Sequence, residues 1–296
     1  MKLGIGFART LPRRHEEKMR VLKRLDDYLR YTEETVGLKF CKGALSRDLL
    51  AAGTNLPALP GYSVTAEEQV GFTIDRTLML PDGTYNLRET VNCPKTGFNM
   101  RMRAVVDAVK HFEKDRDVGI YIAEQKTPLF KYFAAYYSHV TGSEYLGDMV
   151  PLGSCNADGL RNEDATQLTF VDDNFDVVLS FEVLEHIPDY RKALHETRRV
   201  LRTGGRFYFT APFVPSWQET IVRAKIENGE IVHILEPEYH GDPVRAEGIL
   251  CFQHFGWDIV DSLTDAGFSK IEALAFDQPD HGYYTQEPIF VFRAVV

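Results

Sequence analysis

Residues 161–213 read RNEDATQLTFVDDNFDVVLSFEVLEHIPDYRKALHETRRVLRTGGRFYFTAPF, and their pattern decides the fold. Phe175–Ser180 is a short apolar run of the kind that forms a strand buried on both faces. Tyr190–Leu201 has helical periodicity, and Gly204-Gly205 follow as the expected stop, because glycine tolerates the left-handed backbone just past a helix end. Arg206–Thr210 predicts the next strand, ended by Pro212. Strand, helix, strand in this order asks for two parallel strands joined by a crossover.

The alternation extends in both directions. Val118–Ile122 and Val140–Gly142 predict strands, with a helix at Leu129–Tyr137 between them. After the quoted stretch come a helix at Asp258–Ala266, stopped by Gly267, and strands at Ser269–Phe276 and Ile289–Val295. The reading is an α/β fold: a doubly wound, mostly parallel sheet with helices on both faces. Two closing strands without a helix between them predict an antiparallel C-terminal hairpin at one edge. The domain is expected over residues 99–296, opening on a helix at Asn99–Phe112, with an insertion at about 213–255.

Residues 1–98 predict a helical and irregular extension. One helix is expected from Arg14 to Glu34, with Val21, Leu22, Leu25, Tyr28 and Leu29 on its apolar face. Residues 37–97 are expected to be irregular, with a Pro81-Asp82-Gly83 turn between strands at Phe72–Leu80 and Thr84–Val91.

Composition excludes several classes. The chain has 296 residues, 44% hydrophobic and 26% charged, as in ordinary globular proteins. Its 34 Lys+Arg against 43 Asp+Glu give a net charge of −9, which disfavours a nucleic-acid or acidic-membrane partner. No apolar run approaches the ~18 residues of a membrane span, and Met1–Phe7 is too short for a secretory signal. The cysteines, at 41, 93, 155 and 251, form no C-x-x-C pair, which points to reduced thiols in the cytoplasm. Cys93-Pro94 and Gly97 look like half of a metal knuckle whose second half is missing.

The combination of Glu163-Asp164-Ala165, Phe175-Asp176-Val177-Val178, Glu182-Val183-Leu184-Glu185-His186 and Val200-Leu201-Arg202-Thr203-Gly204-Gly205 resembles the class I S-adenosylmethionine-dependent methyltransferases, over roughly residues 100–296. The resemblance implies a seven-stranded Rossmann-like sheet, with S-adenosylmethionine as cofactor and S-adenosylhomocysteine as product. It implies ribose contacts from Glu144, adenine contacts from Asp164 and Ala165, and a cofactor pocket completed by Tyr121, Tyr145 and Phe181. One departure stands out. The family's glycine-rich first loop is here Ile120–Pro128 without a glycine, and bulkier residues cannot copy a positive-φ turn. Either Glu124 reaches the cofactor's ammonium and Thr127 its carboxylate along another path, or cofactor binding is lost and a non-catalytic scaffold remains.

Glu182, Glu185 and His186 follow the fourth strand of the resemblance, with helical spacing that puts them on one face. His186 is a candidate general base, with Glu182 and His240 beside it as catalytic candidates. The same E-x-x-E-H pattern binds a divalent cation in some O-methyltransferases, with His233, His240 or His254 as further ligands. It can equally serve only to cap and pack the loop. Two carboxylates and an imidazole make a weak Mg²⁺ cage, so no metal is expected. The insertion, with Trp217, His233 and Tyr239, is expected to line the substrate site. The acceptor is expected to be a small or glycan-like molecule methylated on oxygen or nitrogen. Asn99, Arg101 and Arg103 are read either as carboxylate binders or as a salt-bridged helix face.

Overall fold

The computed structural model describes residues 19–52, 58–75, 77, 85–241 and 248–296. Its chain divides into two compact units. One draws on Met1–Leu22, Leu29–Phe112 and Leu274–Val291, the other on Lys23–Tyr28, Glu113–Ala273 and Phe292–Val296.

In the first unit the extension is more regular than its sequence suggests. Arg20–Leu22 is a strand, β1, and the helix, α1, begins only at Leu25 and runs to Glu34. The Asp27 carboxylate takes the Lys23 N–H at 3.0 Å and so fixes the start of α1. The expected helix therefore starts too early, and its residues before 19 lie outside the described ones. Val36–Ala52 forms α2 where irregular chain was expected. Leu59–Ser63 (β2), Glu68–Ile74 (β3) and Val91–Asn92 (β4) form a three-stranded sheet. The β2–β3 turn lies at residues 64–67, closed by Glu67 N–H donating to Ser63 O. The Pro81-Asp82-Gly83 turn lies outside the described residues. Where its second strand was expected, Leu87–Thr90 makes a helical turn, α3. Met100–Phe112 is α4.

The second unit carries the expected alternation. Gly119–Ile122 (β5) pairs in parallel with His139–Gly142 (β6) and with Phe175–Phe181 (β7), and β7 pairs in parallel with Leu201–Thr210 (β8). Pro128–Tyr136 (α5) follows β5, and Tyr190–Val200 (α6) follows β7. Five short strands build the insertion: Ile221–Val222 (β9), Ala224–Glu227 (β10), Glu230–His233 (β11), Tyr239–His240 (β12) and Ile249–Leu250 (β13). Gln253–His254 (β14) closes it against β9, and Ile259–Asp265 is α7. Lys270–Phe276 (β15) and Ile289–Val295 (β16) end the chain's regular structure.

The main sheet has seven strands in the order β1-β15-β16-β8-β7-β5-β6, with β16 antiparallel to β8. This is the Rossmann-like arrangement expected, with two corrections. The closing pair is not the rim, because β1 lies beyond β15. Gly204 and Gly205 do not stop α6. They lie inside β8, where the register jumps from Phe175↔Leu201 to Val177↔Arg206 and Gly204 takes φ +75°. The bulge, not the helix end, is what needs glycine here.

Phe207, Phe209 and Phe292 stack in series in the sheet core, with centroids 4.9 Å apart at each step. At the start of the sheet Glu113, almost fully buried, gathers a polar network. Its carboxylate accepts from Arg206 Nε at 3.0 Å, from Arg206 Nη2 and from the Tyr208 hydroxyl at 2.6 Å. Arg293 donates to the same hydroxyl at 3.2 Å and pairs with Glu272 at 2.8 Å. Removing one member strands buried polar partners. Glu113→Ala should lower folding stability by about 3–5 kcal/mol, read as a shift of the urea midpoint at unchanged slope.

Candidate functional site

Ligands in open α/β sheets bind beyond the carboxyl ends of the strands, and the candidate cofactor residues come together there. β5 leads into the glycine-free loop at 123–127. Glu144, just past β6, anchors that loop: its Oε1 accepts the N–H of Gln125 at 2.7 Å and of Lys126 at 2.8 Å. Gln125 in turn accepts the Arg161 N–H at 2.9 Å and donates to Gly159 O at 3.1 Å. Thr127 is the N-cap of α5, its hydroxyl taking the Phe130 N–H at 3.1 Å with Pro128 at the first helical position. Gly142 is the glycine this turn requires. A Cβ there would lie 2.9 Å from Glu124 O and 2.5 Å from the Phe130 ring.

Asp164 folds on itself, Oδ1 accepting the N–H and hydroxyl of Thr166, both at 2.8 Å. Glu144 and Asp164 thus each tie one carboxylate oxygen to the protein. Among the described residues their second oxygens take no hydrogen bond, and both side chains are half-buried. That donor-free oxygen pair suits the ribose hydroxyls and adenine amine of the cofactor the fold implies. The remaining members divide. Glu124 is buried, while Ala165 is half-buried and Tyr145 exposed. Phe181 packs near Phe133 in the core. The Tyr121 ring is fully enclosed between Phe170 and Phe175 with its hydroxyl on Ser143, so it belongs to the core and not to the rim.

Glu182 ends β7 with φ +56°, a left-handed backbone rare for a residue with a side chain, and its N–H donates to Thr210 O at 2.9 Å. Leu184–His186 then makes one tight 3₁₀ turn, not the α-helical face the spacing predicts, because Pro188 disfavours helical backbone at Ile187. Glu185 turns fully inward while Glu182 stays half-exposed.

The insertion is stitched onto this turn. Phe252 N–H donates to Glu185 O at 2.7 Å, and Gln253 Nε2 donates to Leu184 O at 2.7 Å and Ile187 O at 3.0 Å. His186 Nδ1 lies 2.8 Å from Leu250 O. A carbonyl only accepts, so Nδ1 carries the proton and the neutral ring keeps Nε2 as its basic nitrogen.

His240 stands beside His186, ring centroids 5.0 Å apart. Its Nε2 is 2.9 Å from Glu238 Oε1, which is also 3.1 Å from His254 Nε2, and its Nδ1 is 3.6 Å from Glu185 Oε1. The nearby Cys251 thiol and Glu185 carboxyl push His240 up to about 11. Burial pushes Glu185 up to about 7, with His240 pulling against it. Burial raises the Cys251 thiol, but hydrogen bonds from His240 and His254 outweigh it and leave the thiol below its ordinary value. The sequence reading named His240 but missed Glu238 and Cys251. Glu238 and His240 sit two apart in extended chain and so face one side, with Tyr239, 59% exposed, on the other. That alternation was the available signal. His233 is exposed on β11 opposite Ala224, away from the cluster, and Trp217 is half-buried. Asp242 lies outside the described residues. Asn99 caps α4 through Met102 N–H, Arg101 pairs with Glu89 at 3.1 Å, and buried Arg103 bonds the carbonyls of Val91, Phe98 and Gly282. All three serve the first unit's structure.

Residues 126–209 match the family model described as a methyltransferase domain. This stretch resembles a methyltransferase domain. The demethylmenaquinone methyltransferase of Listeria monocytogenes is 33% identical over 91 residues, 27% of this chain and 38% of that protein. The 27-O-demethylrifamycin SV methyltransferase of Amycolatopsis mediterranei is 26% identical over 130 residues, 38% of this chain and 48% of that protein. The chain spans less than half the length of these curated relatives. An S-adenosylmethionine dependent methyltransferase structure from Mesorhizobium loti has 17% identity and a TM-score of 0.42, covering 66% of this chain and 95% of that one. Among the described residues no helix is long and apolar enough to cross a membrane.

Two charge-assisted hydrogen bonds hold the 123–127 loop. Glu144→Ala should therefore cost about 1.5–3 kcal/mol of folding stability, while Glu144→Gln, whose amide oxygen still accepts both N–H groups, should cost less than half of that. Urea denaturation of the two variants side by side checks this.

Proposed function

We propose that the protein transfers a methyl group from S-adenosylmethionine to an oxygen or nitrogen of a small-molecule or glycan-like acceptor. The observation that carries this reading is the pair of carboxylates beyond β5 and β6. Glu144 and Asp164 each keep one oxygen free of hydrogen bonds among the described residues, at the sheet edge where the methyltransferase domain takes its cofactor. Glu144 Oε2 would receive the ribose hydroxyls, and Asp164 Oδ2 the adenine amine. The bound cofactor supplies an electrophilic methyl on sulfonium. The chain's own part is alignment and proton removal. His186 is the proposed base, because Nδ1–H on Leu250 O fixes the ring as the tautomer whose Nε2 is basic. Glu182, at the end of β7, and His240 would position the acceptor beside it. Trp217, Tyr239 and His233 would choose the acceptor. The free state of all four cysteines suits a reducing compartment such as the cytoplasm.

A second reading, a methyltransferase-fold scaffold without catalysis, is favoured by one observation. The Gln125 and Lys126 amides, which face the loop's mouth in a glycine-rich version, are already bonded to Glu144. Calorimetry separates the two. On the enzyme reading S-adenosylmethionine and S-adenosylhomocysteine both give heat, and Asp164→Ala weakens binding by roughly 10- to 150-fold, from about 1.5–3 kcal/mol per lost charged hydrogen bond. No heat up to millimolar ligand leaves the scaffold.

With an acceptor in hand, His186→Ala should lower kcat by about 10²–10⁴-fold and leave cofactor affinity unchanged within error. Trp217→Ala and Tyr239→Ala should raise the acceptor KM while cofactor affinity stays within a few-fold. Loss of cofactor binding in these two variants with the fold intact would put the insertion in the cofactor pocket instead.

A further inference from the structure

Among the described residues one group of metal-ligating side chains lies wholly within the insertion: one donor atom each from Glu238, His240 and Cys251 lies within 4.8 Å of the others. His254, outside that group, has its Nε2 3.1 Å from Glu238 Oε1 and interacts with the Cys251 thiol, so it can add a fourth donor. We propose that Glu238, His240, Cys251 and His254 form a binding site for one zinc-class divalent transition-metal ion. The proposal goes beyond methyl transfer and does not depend on it.

The donor chemistry is of the right kind. One thiolate, two imidazoles and one carboxylate make a four-coordinate set for a borderline-soft ion, with bonds of ~2.0–2.3 Å. Its charge also balances, two anionic donors against two positive charges. Magnesium, which asks for six oxygens, does not fit this set.

The surroundings are built as a second layer of such a site. Glu238 Oε1 faces the two imidazoles, and its Oε2 is held by Arg223 Nη2 at 3.2 Å. With His240 Nε2 turned to the ion, Nδ1–H points at Glu185. A ligating histidine ordinarily donates its other N–H to a carboxylate. Glu185 is fully buried and both its carboxylate oxygens lack a hydrogen bond, with Oε1 3.6 Å from His240 Nδ1. An unsatisfied buried carboxylate is costly, and a metal-bound imidazole N–H is the donor it lacks. The backbone presets the donors: Cys251 N–H bonds Glu238 O at 2.8 Å, and β12 pairs His240 with Ile249.

Glu185, His186 and His240 also approach one another. That set is weaker as a cage, since His186 has one nitrogen committed to Leu250 O and no thiolate contributes. The sequence expectation of no metal weighed the E-x-x-E-H residues with His233, His240 or His254 as a further ligand, and left Glu238 and Cys251 out.

The test uses the full chain, stripped with chelator and titrated with Co²⁺. One equivalent should bind with the visible bands of a tetrahedral ion and a thiolate-to-cobalt charge-transfer band, and Zn²⁺ should displace it. Cys251→Ser should abolish the charge-transfer band, and Cys155→Ser should leave it intact. Glu185→Gln should keep the band and weaken Co²⁺ affinity about 10–100-fold. X-ray absorption of the zinc-loaded wild type needs no variant and should show one sulfur at ~2.3 Å among four ligands. Absence of the band, its survival in Cys251→Ser, or a zinc shell without sulfur overturns the proposal. None of these readouts uses S-adenosylmethionine, so failure here is distinguishable from failure of the methyltransferase reading.

Discussion

One carboxylate oxygen, Glu144 Oε1, holds the part of the sheet edge on which the rest of the site depends. The chain leaving β5 must turn sharply into α5, and the glycine-rich solution lets the backbone supply that turn through positive φ. Here residues 123–127 have side chains, so the turn is stabilised from outside by an acceptor for the N–H groups of Gln125 and Lys126. The charge strengthens both of the hydrogen bonds this one oxygen accepts, at 2.7 and 2.8 Å. Glycine is still required, but on the other side of the contact: Gly142 gives room for Glu124 O and the Phe130 ring. The same acid keeps a second oxygen that takes no hydrogen bond among the described residues.

The second constraint is the stitching of the insertion onto the turn at Leu184–His186. Gln253 satisfies two carbonyls of that turn and Phe252 a third. This leaves His186 oriented through Leu250 and brings Glu238, His240, Cys251 and His254 beside buried Glu185. The chemistry-bearing side chains therefore come from two segments far apart in sequence, joined by hydrogen bonds to backbone carbonyls that no side-chain motif announces.

That explains what was legible beforehand. Apolar runs such as 175–181 and 207–210, and the amphipathic pattern of α4 and α6, carry their own periodicity, so the alternating half of the fold was readable. Gly204-Gly205 was misread because a bulge and a helix stop ask the same thing of glycine. Val36–Ala52 was missed because its apolar residues follow no single face, and Arg20–Leu22 was taken into a helix because three residues cannot show a period of two. Within the candidate site, Glu144 and Asp164 were named from their positions after strands, while Thr127 is fixed as a helix cap and Tyr121 as a core ring. Cys251 and Glu238 carried little signal alone, since a single buried cysteine or surface glutamate is ordinary in any chain.

The central claim is that Glu144 serves the loop and the ligand at once. A crystal structure of the protein grown with S-adenosylhomocysteine tests it most directly. The account predicts ribose hydroxyls on Glu144 Oε2, with the Gln125 and Lys126 amides still on Oε1. A ligand bound elsewhere, or Glu144 released from both amides to meet it, would contradict the account.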